Sequence, residues 1–367
     1  MKIFIKILKG MGIALALILF TAVLVFGYLT LTEYRPADTE SVPITTDTSV
    51  SSFRAIAPGD SISIMSWNIG YGALGDNADF FMDGGKSVNT ADEQRVRENL
   101  TNIADAIDRV RPTVLMMQEV DISSSRSHRI NEQSFLDNLL APSSQAFALN
   151  FKVDFVPYPI PPIGKVESGI LTFTDAEITS AERLSLPCPY RWPVRVGNLK
   201  RCLLITRIPL EGTDKELVMV NLHLEAYDNG EGKIAQTKML RSVLEQEAAK
   251  GNYVIAGGDF NQTFSNVDIS NFPVQEGMWA PGIIDREDFS DFVLLMDDGT
   301  PSCRSLDRVY AGANRDAFQY YCIDGFILSG NVRADSCGVQ DLDFVSTDHN
   351  PVILRATLLR PELPKDN

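Results

Sequence analysis

The pattern of apolar and polar positions divides this chain into three stretches. Residues 11–31 are an uncharged run of 21 residues, MGIALALILFTAVLVFGYLTL, long enough to cross a hydrocarbon layer of about 30 Å as a helix. Residues 32–60 are rich in Ser, Thr, Pro and Asp and lack apolar periodicity, so they are expected to be a linker. From residue 61 to about residue 360, strand and helix patterns interleave with no internal repeat, as expected of one folded domain.

Within that domain, SISIMSWNI alternates as a strand ending at Asn68. Thr90-Ala-Asp-Glu93 has the form of a capping box, and Val96, Leu100, Ile103, Ile107 and Val110 follow at helical spacing, which predicts an amphipathic helix over 90–109 stopped by Pro112. TVLMMQEV is a short apolar strand of the buried kind that delivers Glu119 to its end. ELVMVNLHLEA alternates, with Val218, Val220, Leu222 and Leu224 on one face and Met219, Asn221 and His223 on the other. A helix over 233–249 leads into the strand YVIAGGDFN, YYCIDGFILSG is a strand carrying Asp324, and STDHNPVILRATL is a loop feeding the last strand. SGILTFTDAEITSAERLSL suggests a hairpin. A mixture of β-α-β units and hairpins implies an α/β fold in layers, two sheets packed face to face with helices outside.

Composition refines this picture. The 367 residues are 44% hydrophobic, enough for one catalytic-sized core. Lys and Arg number 33 against 48 Asp and Glu, a net charge of −15. Such a surface, with no basic stripe, is unlike that of a duplex-DNA binder. Lys2, Lys6 and Lys9 precede the apolar run, which favours residues 1–10 in the cytoplasm, residues 11–31 as a signal anchor, and the rest outside. The run exceeds the ~7–15 residues of a cleaved signal sequence, and no A-x-A site follows it. Five cysteines, Cys188, Cys202, Cys303, Cys322 and Cys337, are too few for a disulfide framework, and bridges or buried free thiols are both open.

Several apolar strands end in polar residues: Asn68, Glu119, Asn221 with His223, and Asp259 with Asn261. Asp324 and the pair Asp348-His349 follow. Singly, each has an ordinary explanation as a turn cap or a satisfied core histidine. Together, polar groups at the mouths of buried strands must be solvated, paired or bound to something, and their number points to a site.

The segments SWNIG, LMMQEVD, VNLHLEA, AGGDFNQT, CIDGFILS and STDHNPV occur in this order. They resemble the successive motifs of the endonuclease/exonuclease/phosphatase superfamily, which includes deoxyribonuclease I, apurinic endonucleases, inositol polyphosphate phosphatases and bacterial sphingomyelinases, and the resemblance spans residues 62–359. It implies a four-layer αββα sandwich with two mixed sheets. It also implies Asn68, Glu119 and Asp348 around Mg²⁺ or Mn²⁺, Asp259 orienting or deprotonating the attacking water, and Asn261 donating to phosphate oxygens. By the same resemblance His349 stabilises charge on the phosphoryl group, Asp324 holds its ring, and His223 helps neutralise the transition state or protonate the leaving oxygen. Magnesium suits such a site, because it takes oxygen ligands from one or two carboxylates and keeps several waters.

Three segments leave the substrate open. GYGALGDNADFFMDGGKSVNT, between Asn68 and the first helix, reads as a lid, a substrate rim or a long surface loop. Arg126, His128 and Arg129, just after Glu119, are candidates to clamp a phosphate or members of a solvated loop. YPIPPIGK and PCPYRWPVR offer aromatic and basic groups to a headgroup or membrane surface, or are ordinary loops. The expected protein is a membrane-anchored, metal-dependent phosphoesterase hydrolysing a phosphodiester, with a lipid or small-molecule headgroup favoured. An extracytoplasmic nuclease fits the motifs equally and the charge less well. A non-catalytic binding domain on the same fold fits poorly, since every motif residue is present.

Overall fold

Two β-α-β units placed back to back set the frame. In a computed structural model, which describes residues 1–47 and 52–361, β3 (Ser61–Asn68) runs through α2 (Glu93–Val110) to the parallel β4 (Val114–Asp121). Likewise β9 (Glu216–His223) runs through α4 (Glu231–Ala249) to the parallel β10 (Tyr253–Asp259). Each unit is the centre of a seven-stranded sheet. The first has the order Val332–Val339, Val352–Leu358, β3, β4, β6 (Gly164–Thr174), β5 (Ser144–Val156), β2 (Ile44–Thr46). The second has the order β1 (Thr39–Ser41), β7 (Ser180–Ser185), β8 (Cys202–Pro209), β9, β10, Asp324–Ser329, Phe292–Leu295.

The period-two alternation of the central strands sorts their side chains between the layers. Ile62, Ile64, Val114, Met116, Leu217, Met219, Ile255 and Phe326 meet in the core between the sheets. Met65, Trp67, Leu115 and Met117 face outward under α2 and under Leu136 of α3 (Glu132–Leu140). Val218, Val220 and Leu222 lie under Leu240 and Leu244 of α4, as the alternation of β9 predicts. The result is the four-layer αββα sandwich. The two sheets approach so closely at Gly257 that a Cβ there would stand 2.5 Å from Phe326 Cδ1 and 2.7 Å from Met116 Cε.

Three expectations are corrected. The stretch 168–186 is not a hairpin: β6 belongs to one sheet and β7 to the other, and the connection, with Ala176 and Ile178 buried between them, crosses the core. Helix α2 is capped by Asp92, whose side chain accepts the Arg95 N–H at 2.8 Å, while Thr90 Oγ1 donates to the Ala73 carbonyl. An aspartate competes well for this position, and the threonine is drawn into the preceding loop. Segment 32–60 is not merely a linker, since it supplies β1 and β2 as edge strands, one to each sheet. Residues 48–51 of that segment lie outside the described residues.

Helix α1 spans Lys2–Leu31, so residues 1–10 continue the apolar helix instead of preceding it. Its 29 residues from Ile3 to Leu31 are long and apolar enough to cross a membrane. All five cysteines are free thiols, with Cys202, Cys303 and Cys322 buried.

Candidate active site

The inward-facing positions of the central strands change character along their length. Toward one end they are apolar; toward the other they read Ser66 and Asn68 on β3, Gln118 on β4, Asn221 and His223 on β9, and Asp259 on β10. Gln118 Nε2 donates to Asn221 Oδ1 at 2.8 Å, and Asn221 donates to the Leu171 carbonyl at 2.9 Å. This pair ties the sheets together beneath the site and leaves Asn221 a structural residue.

Strand register places the next layer. Asp259 is paired with His223 on one side and with Asp324 on the other. A β-bulge between Met117 and Val120, with Glu119 in the left-handed region at φ 55°, turns the Glu119 carboxylate toward the same end. Asn68 Nδ2 donates to Asp259 Oδ2 at 3.1 Å and reaches Glu119 Oε1 at 3.4 Å, so one amide joins carboxylates from both sheets.

The loop before the final strand closes the cluster from the side. Trp67 Nε1 donates to the His349 carbonyl at 2.9 Å, and Thr347 Oγ1 donates to the Asn68 carbonyl at 3.1 Å. His349 Nδ1 then lies 2.8 Å from Asp324 Oδ2, and its Nε2 points back to Asp259 Oδ2 at 3.9 Å. His223 Nε2 lies 3.4 Å from the same Asp259 oxygen, while its buried Nδ1 has no partner among the described residues. The Asn261 N–H donates to Asp259 Oδ1 at 2.9 Å and its Nδ2 to the Leu224 carbonyl at 2.9 Å, which leaves the second amide hydrogen uncommitted.

Burial and mutual charge set the ionisation of these groups. Burial, reinforced by the Asp324 charge, pushes the Asp259 carboxyl up to about 7, against the pull of His349 and the Asn261 N–H. Burial works against a charged His349, yet the adjoining Asp324 carboxylate holds the ring well above the usual histidine range. His223 goes the opposite way: burial, with the positive Arg201 and His349 behind it, pushes it well below that range. The neutral and the charged histidine therefore face one carboxylate from two sides. Burial also raises Glu119 against the pull of Arg126, with the Asp348 charge adding to the rise, and raises Asp348 itself. Carboxylates crowded this way lack positive charge, and a hard divalent cation with oxygen donors fits that deficit. Among the described residues, His349 belongs to both groups of His, Cys and acidic side chains whose ligand atoms lie within 4.8 Å of one another, with Asp259 and Asp324 in one and with Cys303 and Asp348 in the other.

Arg126 and His128, candidates to clamp a phosphate or members of a solvated loop, are both engaged by the protein itself. Arg126 stands beside Glu119, but Nε and Nη2 of its guanidinium both bond Asp121, at 3.1 and 3.0 Å, and its plane covers the Tyr71 ring at 3.6 Å. His128 is exposed and meets the Ala91 carbonyl at 2.9 Å. Asp121 follows Glu119 by two residues and pairs with the guanidinium through Nε and Nη2.

Sequence reasoning missed Asp83. The long insertion after Asn68 is not a free loop: Tyr71, Ala73, Leu74 and Ala78 pack into the outer core, and Arg304 holds the Gly75 carbonyl at 2.8 Å. This brings Asp83 to the site, where burial, with Asp348 facing it, pushes its carboxyl up to about 7. Tyr227 donates to Asp83 at 3.1 Å across the mouth. Nothing in the sequence set Asp83 apart from Asp76 and Asp79 of the same insertion.

Residues 65–349 match the profile of the Endonuclease/Exonuclease/phosphatase family. Among solved structures, the chain is similar to an endonuclease/exonuclease/phosphatase from Beutenbergia cavernae DSM 12333, at 18% identity and TM-score 0.54, covering 82% of this chain and 72% of that one. It is also similar to the endonuclease/exonuclease/phosphatase from Bacteroides vulgatus, at 14% identity and TM-score 0.50, covering 82% and 99%. TDP2 from Caenorhabditis elegans overlaps at 15% identity and TM-score 0.48, covering 82% and 75%. No curated protein matches the chain.

Proposed function

Because the chain belongs to the endonuclease/exonuclease/phosphatase family, whose members are hydrolases acting on phosphodiester bonds, we propose that it hydrolyses a phosphodiester carried by a lipid or small molecule, on the outer side of a membrane anchored by α1. The observation that carries this reading is the convergence of Asn68 and Glu119 from one sheet with His223, Asp259 and Asp324 from the other, under His349.

Glu119, Asn68 and Asp348 would hold a Mg²⁺ or Mn²⁺ ion, which when bound supplies positive charge to phosphate oxygens. The chain's own groups divide the remaining work. Asp259, poised near neutrality and steered by Asn68 and the Asn261 N–H, orients and deprotonates the attacking water. His349 stays protonated through Asp324 and presents Nε2–H to the charge developing on the phosphoryl oxygens. The spare hydrogen of Asn261 Nδ2 is a second donor. His223, neutral in the free site, supports Asp259 through Nε2 and accepts positive character once a phosphate adds negative charge.

The charge of the chain favours a small or membrane-borne phosphodiester over long nucleic acid. The test is a screen of the full-length protein with Mg²⁺ against bis-nitrophenyl phosphate, sphingomyelin, phosphoinositides and single- and double-stranded DNA. Asp259→Ala and His349→Ala are each expected to lower turnover on the order of 100- to 1000-fold while the fold persists. Unchanged hydrolysis in both variants overturns the assignment, and DNA cleavage far above the lipid rates replaces the substrate class with a nuclease's.

A further inference from the structure

The apolar helix α1 is not tethered loosely to the domain. Leu29 is buried with Phe151, Val153, Val166 and Val196, and Val25, Val156 and Ile163 border the same cluster. Tyr28 donates to Asp154 at 2.8 Å, and Trp192 Nε1 donates to Thr30 Oγ1 at 3.1 Å. Just past the helix, Glu33 is buried beneath Arg195 and Lys200 at 3.2 and 3.3 Å. The domain thus grips the last two turns of the helix, including residues inside its apolar run.

That grip fixes where the neighbouring surface must lie. Val156 and Ile163 are the two feet of the β5–β6 connection, so residues 157–163 extend beside the apolar end of α1. On this connection Ile160 is 95% exposed and Tyr158 68%, while Trp192 and Val194 on the adjoining segment are each 57% exposed. Large apolar and aromatic side chains held this far into solvent, beside a bilayer-length helix, have the composition of a membrane-interface belt. Of the basic groups on residues 187–202, Arg191 is exposed on this face, whereas Arg195 and Lys200 pair with Glu33 and Arg201 is buried against Glu225. The same connection reaches the mouth of the site, because the Tyr158 ring packs edge-on against Phe81 with centroids 5.9 Å apart, two residues before Asp83.

We propose that residues 157–163 and 189–194 form a bilayer-docking platform which, with the outer end of α1, holds the mouth of the site against the membrane that α1 crosses. The phosphodiester it meets is then one presented by a lipid headgroup in that same membrane. This inference rests on the reading of α1 as a membrane span and of the cluster as a phosphodiesterase site.

The test uses the full-length protein in phosphatidylcholine vesicles, prepared with plain lipid or with lipid brominated near the top of the acyl chains. Bromine quenches tryptophan on contact, and of the three tryptophans Trp67 is buried in the outer core. Quenching is expected in the native protein, to fall in Trp192→Phe, and to rise in Ile160→Trp. Equal emission from both vesicle types in the native protein and in Ile160→Trp overturns the platform. In the second arm, Ile160→Asp combined with Val194→Asp is expected to lower hydrolysis of vesicle-borne sphingomyelin or phosphoinositide on the order of tenfold, through misplacement of the mouth. Hydrolysis of soluble bis-nitrophenyl phosphate stays unchanged. Equal loss on both substrates overturns the lipid-presenting role. Quenching without hydrolysis of any substrate supports the platform and sinks the enzymatic reading, whereas hydrolysis without quenching does the reverse.

Discussion

Trp67 donates its indole N–H to the main-chain carbonyl of His349 across 2.9 Å, joining the inner end of one central strand to the loop that carries the site's charged histidine. The bond is buried, and it is made by a side chain that faces the outer helices rather than the site. The position of His349 is therefore set from behind, by the packing of α2 on the sheet.

Replacing Trp67 by Phe keeps most of the apolar contact and strands the carbonyl. The expected cost is about 1–3 kcal/mol of stability for the unpaired buried group. Turnover should fall with little change in KM, because the loop is misplaced rather than the substrate released. Thermal unfolding together with steady-state kinetics checks both halves, and an unchanged kcat would show that His349 is positioned by Thr347 and Asp324 alone.

The opposed shifts of Asp259 and His349 predict a bell-shaped dependence of rate on pH. Activity rises as Asp259 loses its proton, near 7 in the free site, and falls where His349, held above the usual range, loses its own. Asp324→Asn removes the charge that favours the imidazolium, so the alkaline limb should move to lower pH. A profile of kcat/KM at saturating Mg²⁺ measures this; a limb that stays in place assigns it to another group.

Asp83 comes from the insertion and shares the mouth with Asp348 and Tyr227. If it helps the cation deficit attract a metal, Asp83→Asn should raise the Mg²⁺ concentration needed for half-maximal activity by about 10-fold, the size expected of groups just outside the ligands. Tyr227→Phe should do less, since it removes only a donor. A Mg²⁺ titration that is unchanged in Asp83→Asn leaves the residue a rim contact.

Gly257 sits where Met116 of the facing sheet and Phe326 of the neighbouring strand crowd the β10 backbone. Gly257→Ala would press a methyl group into Phe326 and Met116, costing about 1–3 kcal/mol as an overpacked core does. Because Asp259 is two residues away on the same face of β10, activity should fall more than the stability loss explains. Chemical denaturation beside kinetics separates the two effects.

The chain itself determined the alternation and the order of the parts. Val218, Val220 and Leu222 against Met219, Asn221 and His223 could be sorted into two faces because side-chain direction in a strand has period two. Asn68, Glu119 and Asp259 could be placed at strand ends for the same local reason, and the uncharged run of α1 by its length. What the tertiary structure decided is everything that depends on which distant segment arrives first. The pairing of Arg126 with Asp121, the capping of α2 by Asp92 rather than Thr90, the division of β6 and β7 between sheets, and the arrival of Asp83 beside Asp348 are each a choice among nearby partners. Local propensities differ by fractions of a kcal/mol among such choices, so long-range packing settles them.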